Sequence, residues 1–215
     1  MSRRANGALR CARCHMHRTL CVCALIPRIE TRTRVVLITH RYEDRKPTNS
    51  GRLATECLVN SEVLVRGHEG AVTTFTAKDG TEPLLLFPHE DAAPLGPREP
   101  TARPVTLVVP DGNWRQASKV RKRVSGLEAT PCVMLPVGEA RAPRRLRAEA
   151  HDYGLATLEA VARALGILEG PEVRGAIEQL FRVMVERTLW SRGMLAVGEV
   201  TGGVPDAARL HDWSR

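Results

Sequence analysis

The chain has 215 residues and a hydrophobic content of 43%, enough to bury a sizeable core, and no apolar run approaches membrane-spanning length. Thirty-two Lys and Arg against 24 Asp and Glu give a formal net charge of +8. That balance permits attraction to phosphate backbones without identifying a ligand, and it excludes a membrane-spanning chain only together with the hydropathy.

The first chemical signal is "CARCHMHRTLCVC" (11–23), with four cysteines in thirteen residues. Cys11 to His15 match C-x-x-C-H, a haem-attachment pattern in exported proteins. The preceding "MSRRANGALR" lacks the apolar core of a signal peptide, so a cytoplasmic, reducing setting is expected and disulfides are not. A dithiol redox pair needs two cysteines, whereas Cys21 and Cys23 add a second close pair. The spacing C-x2-C-x6-C-x-C offers Cys11, Cys14, Cys21 and Cys23 to a tetrahedral zinc ion, which is preferred here to unligated thiols or haem. His15 or His17 could replace a sulfur, but the cysteine set is complete. A closed site leaves no position for water, so this segment, taken as residues 1–30, is structural, and the chemistry belongs to a domain over 31–215.

"RVVLITH" (34–40) reads as a strand and "SGRLATECLVN" (50–60) as a helix. "SEVLVRG" and "EPLLLFP" are short strand candidates, followed by a proline-rich surface loop containing Pro94, Pro97, Pro100 and Pro104. "PVTLVVPDG" (104–112) is the clearest strand, with "NWRQASKVRKRV" after it as one helix. "PCVMLP" reads as a strand, and 155–168 and 171–193 as helices, the last opened by Pro171 and closed by Gly193. Such alternation predicts an α/β fold with a largely parallel sheet, whose ligands gather at the carboxyl ends of the strands.

Asp111 stands at such an end. It can reach a substrate there or simply cap the next helix, for which Asn113 is also available. Trp114 is either a core anchor or a stacking platform. Arg115, Lys119, Arg121, Lys122 and Arg123 carry five positive charges without an intervening acid, which suggests a nucleic-acid contact. No G-x-G-x-x-G fingerprint occurs, which argues against a Rossmann-type cofactor site.

"DGNWRQASKV" resembles the D-x-T-W-x-x-A signature of the DTW-domain family, tRNA-uridine aminocarboxypropyltransferases. The cysteine array resembles the family's N-terminal zinc motif, "THRYEDRKPTNSGRL" its H-P-x-E…T-N-T-G-like segment, and "LRAEAHDYGLATLEAVARAL" its L-R…L-S-T-x-E-A segment. Asp111, Trp114, Ala117, Glu43, Thr157, Glu159 and Ala160 keep the pattern, while Asn113 and Ala156 replace the usual Thr and Ser.

The resemblance implies a SPOUT-class sheet with a C-terminal knot, S-adenosylmethionine as donor substrate and tRNA as partner. It implies transfer of the 3-amino-3-carboxypropyl group to the uridine ring nitrogen between the two carbonyls. Asp111 becomes the candidate base for that nitrogen's proton. Thr48, Asn49, Ser50 and Arg52 are candidates for the donor's amino-acid end, or else an ordinary N-cap. For the adenosine end the resemblance points to Leu135, Tyr153, Leu155 and Thr157, of which Tyr153 could be core and Thr157 a cap. Arg141, Arg144, Arg145 and Arg147 are a solvated loop or part of the tRNA footprint, and their clustering favours the footprint. Rival readings are a knotted RNA methyltransferase and a non-catalytic zinc-containing RNA-binding protein. A zinc deaminase fits worst because the H-x-E element is missing.

Overall fold

Two apolar runs, "RVVLITH" and "VTLVVPD", are buried on both faces and set the architecture, as expected of central parallel strands. The computed structural model describes residues 8–46, 49–136 and 155–213. In chain order these form β1 (Arg34–His40), α1 (Arg41–Asp44), α2 (Gly51–Glu56), β2 (Ser61–Arg66), β3 (Glu82–Leu86), β4 (Ala93–Pro94) and β5 (Val105–Asp111). There follow α3 (Trp114–Ala117), α4 (Val120–Arg123), β6 (Cys132–Met134), α5 (Thr157–Leu168), α6 (Pro171–Ser191) and α7 (Asp206–Arg209).

The six strands pair in the order β2-β1-β5-β3-β6-β4, and every pairing is parallel. Alternation along the strands divides the core. Val35, Leu37, Leu107 and Val109 face α2, α5 and α6 through Leu53, Leu158, Leu165 and Ile177. Val36, Ile38 and Val108 face the other way, against Phe75, Val120, Val124 and Leu127. The chain leaves β1 toward β2 on one side and leaves β5 toward β6 on the other. The carboxyl ends of β1 and β5 therefore flank a topological switch point, where open α/β sheets bind ligands.

Three sequence expectations change. The expected helix over 113–124 is two short helices. The Gln116 carbonyl accepts from Arg66 Nη2, a residue of β2, as well as from Lys119 N (3.4 Å), and the helix breaks there. The helix expected over 50–60 spans only Gly51–Glu56, because Leu58 already bridges to Ile29. The proline-rich loop contains an edge strand, Ala93–Pro94, and an edge is where proline's missing N–H is tolerated. The long helix α6 matches its expected bounds closely. Gly193 at φ 70° follows its end, with Gly193 N–H bonded to Trp190 O and Met194 N–H to Leu189 O, both at 2.9 Å.

Cys14, Met16, Leu20 and Val22 belong to the same buried cluster as α5 and α6, so the N-terminal segment is packed onto the sheet layer. Arg187 of α6 donates to the Cys21 carbonyl at 3.0 Å, and His17 packs against His211 and Trp213 beyond α7. At the opposite end of β1, the Glu169 carboxylate after α5 accepts from the backbone N–H groups of Arg32 (3.1 Å) and Thr33 (2.7 Å).

Candidate functional site

Parallel register sets Thr39 of β1 beside Asp111, the last residue of β5. The Asp111 side chain is buried, and its Oδ2 accepts from Thr39 Oγ1 and from Asn49 Nδ2, each at 2.7 Å. Its Oδ1 accepts from Thr157 Oγ1 at 2.6 Å, at the first turn of α5. One carboxylate thus ties together β1, β5, α5 and the loop before α2. Among the described residues three of its roughly four lone-pair positions are taken by donors, which leaves one on the Oδ1 side. Close approach completes the arrangement. A Cβ at Gly51 would lie 2.9 Å from Asp111 Cγ and Oδ1 and 3.1 Å from Thr157 Cγ2, so only glycine fits there.

Asp111 does not cap the helix after it. Asn113 does, accepting from Gln116 N while Gln116 Oε1 accepts from Asn113 N, each at 2.9 Å. Asn thus replaces the family's Thr with a reciprocal cap. Among the described residues Asn49 Nδ2 also donates to Glu43 O (3.2 Å), and its Oδ1 accepts from Arg52 N (3.0 Å) with a second lone pair left over. Ser50 is buried at the start of α2 and makes no capping bond with its side chain. Arg52 is held by Asp44, with Nη2 at 2.6 Å and Nε at 2.9 Å from Oδ1, and Glu43 pairs with Lys46. Thr157 turns to Asp111, and the Ala156 N–H is satisfied by Glu159 Oε2 at 3.2 Å. Leu135 and Leu155 are half-buried, after β6 and before α5. Thr48, Tyr153, Arg141, Arg144, Arg145 and Arg147 lie outside the described residues.

Trp114 is partly exposed and stacks at a tilt on Phe87, with centroids 4.8 Å apart. Arg115, Lys119, Arg121, Lys122 and Arg123 lie on α3, α4 and the turn between them, at the carboxyl end of the sheet. Among the described residues Arg121 Nη1 pairs with Asp91 at 2.6 Å, an acid from outside the basic stretch. Sequence reasoning assigned no role to Thr39 or Arg66, and it included His40 and Gly51 only within the segment quoted for the family resemblance. The only sequence trace of Thr39 is a hydroxyl ending an otherwise apolar strand.

The four cysteine sulfurs converge within 4.8 Å of one another, with Cys11–Cys23 at 3.5 Å and Cys14–Cys21 at 3.6 Å. A tetrahedron with Zn–S bonds of about 2.3 Å has edges of roughly 3.8 Å, so the donor set fits zinc in number, type and spacing. Burial pushes the Cys14 thiol up, and burial followed by the neighbouring thiols pushes Cys23 far up. Burial also works against Cys11, but the backbone amides of Cys14 and Arg13 together with the Cys23 and Cys21 thiols outweigh it and bring that thiol to about 6. Such crowding suits a cation that offsets several thiolates at once. His15 adopts φ 59° in the turn after Cys14, and neither it nor His17 belongs to the sulfur cluster.

Fold and site together define an all-parallel α/β protein with a carboxylate at the switch point and a four-cysteine cluster at its N-terminal end. The DTW domain matches residues 8–189, and the chain belongs to the DTW-domain family. It is 25% identical to tRNA-uridine aminocarboxypropyltransferase 2 of Drosophila melanogaster over 178 residues, covering 79% of this chain and 70% of that protein. It is 26% identical to tRNA-uridine aminocarboxypropyltransferase A of Arabidopsis thaliana over 215 aligned residues, covering 81% and 79%. With tRNA-uridine aminocarboxypropyltransferase 2 of Macaca fascicularis the identity is 27% over 170 residues, covering 74% of this chain and 56% of that protein. No solved structure matches the chain at a significant level.

Proposed function

We propose that this protein transfers the 3-amino-3-carboxypropyl group of S-adenosylmethionine to the ring nitrogen of a uridine in tRNA. The observation that carries this reading is the Asp111 carboxylate, held by Thr39, Asn49 and Thr157 at the switch point of a DTW-domain sheet. The uridine nitrogen between two carbonyls is protonated near neutral pH and is a weak nucleophile. A fixed carboxylate with one lone pair available accepts that proton as the new bond forms. The N–C bond forms at the aminocarboxypropyl methylene, the C–S bond breaks, and the electron pair stays on sulfur as a neutral thioether.

All three carbons on the sulfonium are electrophilic, so the residues must choose among them by orientation. Asn49 and Ser50 at the entry of α2, with Leu135, Leu155 and Thr157 from the adjoining edge, are assigned to hold the donor, as is Tyr153. The basic residues of α3 and α4 with Trp114, and Arg144 and Arg145, are assigned to the RNA. Zinc held by Cys11, Cys14, Cys21 and Cys23 has a structural role and takes no part in transfer. The finer fold reading, a SPOUT-class knot in the C-terminal part with a division at residue 30, belongs to the same proposal, as does a cytoplasmic setting. The family and the all-parallel sheet support it.

Incubation with S-adenosylmethionine and total tRNA, followed by nucleoside mass spectrometry, tests the proposal. The expected product is uridine heavier by one aminocarboxypropyl group. A product heavier by one methyl group would replace transfer of the larger group with methylation, and a protein that binds no S-adenosylmethionine would be a non-catalytic RNA binder.

A further inference from the structure

We infer that His40, Arg66 and Arg123 form a phosphate-binding site that takes one phosphodiester of the tRNA backbone on the sheet face opposite Asp111. This deepens the proposed function and rests on it for the identity of the RNA. Thr39 and His40 are consecutive at the end of β1, so their side chains leave on opposite faces. Thr39 bonds to Asp111, while His40 lies in register with Arg66, the last residue of β2.

Arg66 is only 5% exposed, its Nε has no hydrogen-bond partner, and no carboxylate pairs with it among the described residues. Its Nη2 donates to the Gln116 carbonyl, which anchors the guanidinium without neutralising it. A buried charge without a counter-charge is costly, and a bound anion removes that cost. The His40 ring supplies a second donor. Its Nδ1 accepts from Tyr42 N at 3.3 Å, which leaves the proton of the neutral ring on Nε2. Beside that nitrogen stands Gly67, at φ +87°, and a Cβ there would lie 2.8 Å from Nε2, so the glycine keeps a cradle open at the donor. Arg123 is exposed on α4, whose Val120 packs in one cluster with Val36 and Ile38 on the face of β1 that carries His40, and its positive charge acts on both His40 and Arg66.

The surroundings are predominantly basic. Burial first, then Arg66, Arg41 and Arg123, hold His40 below the usual imidazole range, with Glu43 as the one opposing charge. Arg41 pairs through Nη2 with the exposed Glu69 at 3.3 Å, while its buried Nε has no partner among the described residues, so it adds both field and a donor at the margin of the site. One carboxyl edge thus presents a carboxylate on one face and a predominantly basic cradle on the other, adjacent through consecutive residues. RNA crossing that edge would anchor a phosphate on the second face and present a base toward the first.

The test uses the full chain, inorganic phosphate and an unmodified tRNA transcript. Phosphate added at constant ionic strength should raise the His40 pKa read by NMR, because an anion offsets the three guanidiniums, and should compete with tRNA. Arg123→Gln, an exposed change that spares the core, should abolish that pKa rise. It should weaken tRNA binding about tenfold and lower the salt slope by about one. Arg66→Gln should do the same where it folds. An Arg123→Gln protein that keeps wild-type tRNA affinity and salt slope, or a His40 pKa indifferent to phosphate, would overturn the site. Phosphate that shifts His40 without displacing tRNA would make it a site for free phosphate and equally overturn the RNA assignment. Loss of aminocarboxypropyl product with these responses intact would instead count against the proposed function.

Discussion

The cysteine cluster and the Asp111 hub each fix several chain segments at one point, but they are assembled in opposite ways. The cluster draws its four ligands from thirteen consecutive residues and places them 3.5–3.6 Å apart in pairs. The hub gathers Thr39, Asn49, Asp111 and Thr157, whose nearest neighbours in sequence are ten residues apart and whose ends are separated by 118. A local site of four sulfurs can be closed by an ion it binds; a dispersed one depends on the sheet. The difference implies that damage to the first should appear mainly as lost stability, and damage to the second mainly as lost chemistry.

Four substitutions sharpen or break that contrast. On the proposed zinc assignment, Cys14→Ser removes the most buried of the four sulfurs, and losing the metal from a segment packed into the main core should cost more than about 4 kcal/mol. Thermal unfolding with and without a chelator measures it, and chelation should add nothing to the variant. If stability is untouched in both, the cluster is not a metal site. Gly51→Ala should lower single-turnover transfer about a hundredfold, because its Cβ displaces Asp111 and small misplacements near reacting groups cost that much. Its stability should fall by only about 1–3 kcal/mol, the usual overpacking range. A rate loss no larger than the loss of folded protein would place Gly51 with the stability group.

Thr157→Val is smaller in effect. It keeps the side-chain shape and deletes one donor to Asp111 Oδ1, which should cost about 1–3 kcal/mol in denaturant unfolding. An unchanged midpoint would show that another donor fills the place. Arg121→Ala is smallest, since its ion pair with Asp91 lies at the exposed surface, where such pairs contribute little. Its melting temperature should match the parent's, while tRNA binding should weaken modestly with a shallower salt dependence.

The legibility of the molecule follows the same division. The strands "RVVLITH" and "VTLVVPD" are readable because a strand buried on both faces is a continuous apolar run. The cysteine spacing is readable because its ligands are close in sequence. The break between α3 and α4 is hidden, since it involves a bond from Arg66, fifty residues away. The edge strand Ala93–Pro94 is hidden because its composition is that of a loop. Asp111 stands out in the sequence as either a cap or a reacting group. Only strand register reveals that it accepts from Thr39, and only the packing of α2 against α5 reveals why residue 51 is glycine.

The hub also changes what a conservative replacement of Asp111 should do. Asparagine would serve equally well as a helix cap, but here it would turn an amide N–H₂ toward at least one of three donors. The folded state should therefore lose about 1–3 kcal/mol even before chemistry is considered. The most direct measurement is the single-turnover rate of aminocarboxypropyl transfer to tRNA for the parent and Asp111→Asn across neutral to alkaline pH, with fold and donor binding monitored. The account predicts a deficit of about a hundredfold to ten-thousandfold near neutral pH that narrows as pH rises and the uridine nitrogen loses its own proton. A deficit that stays constant with pH would leave Asp111 a scaffold that only positions its neighbours, and parental rates throughout would contradict its part in the reaction altogether.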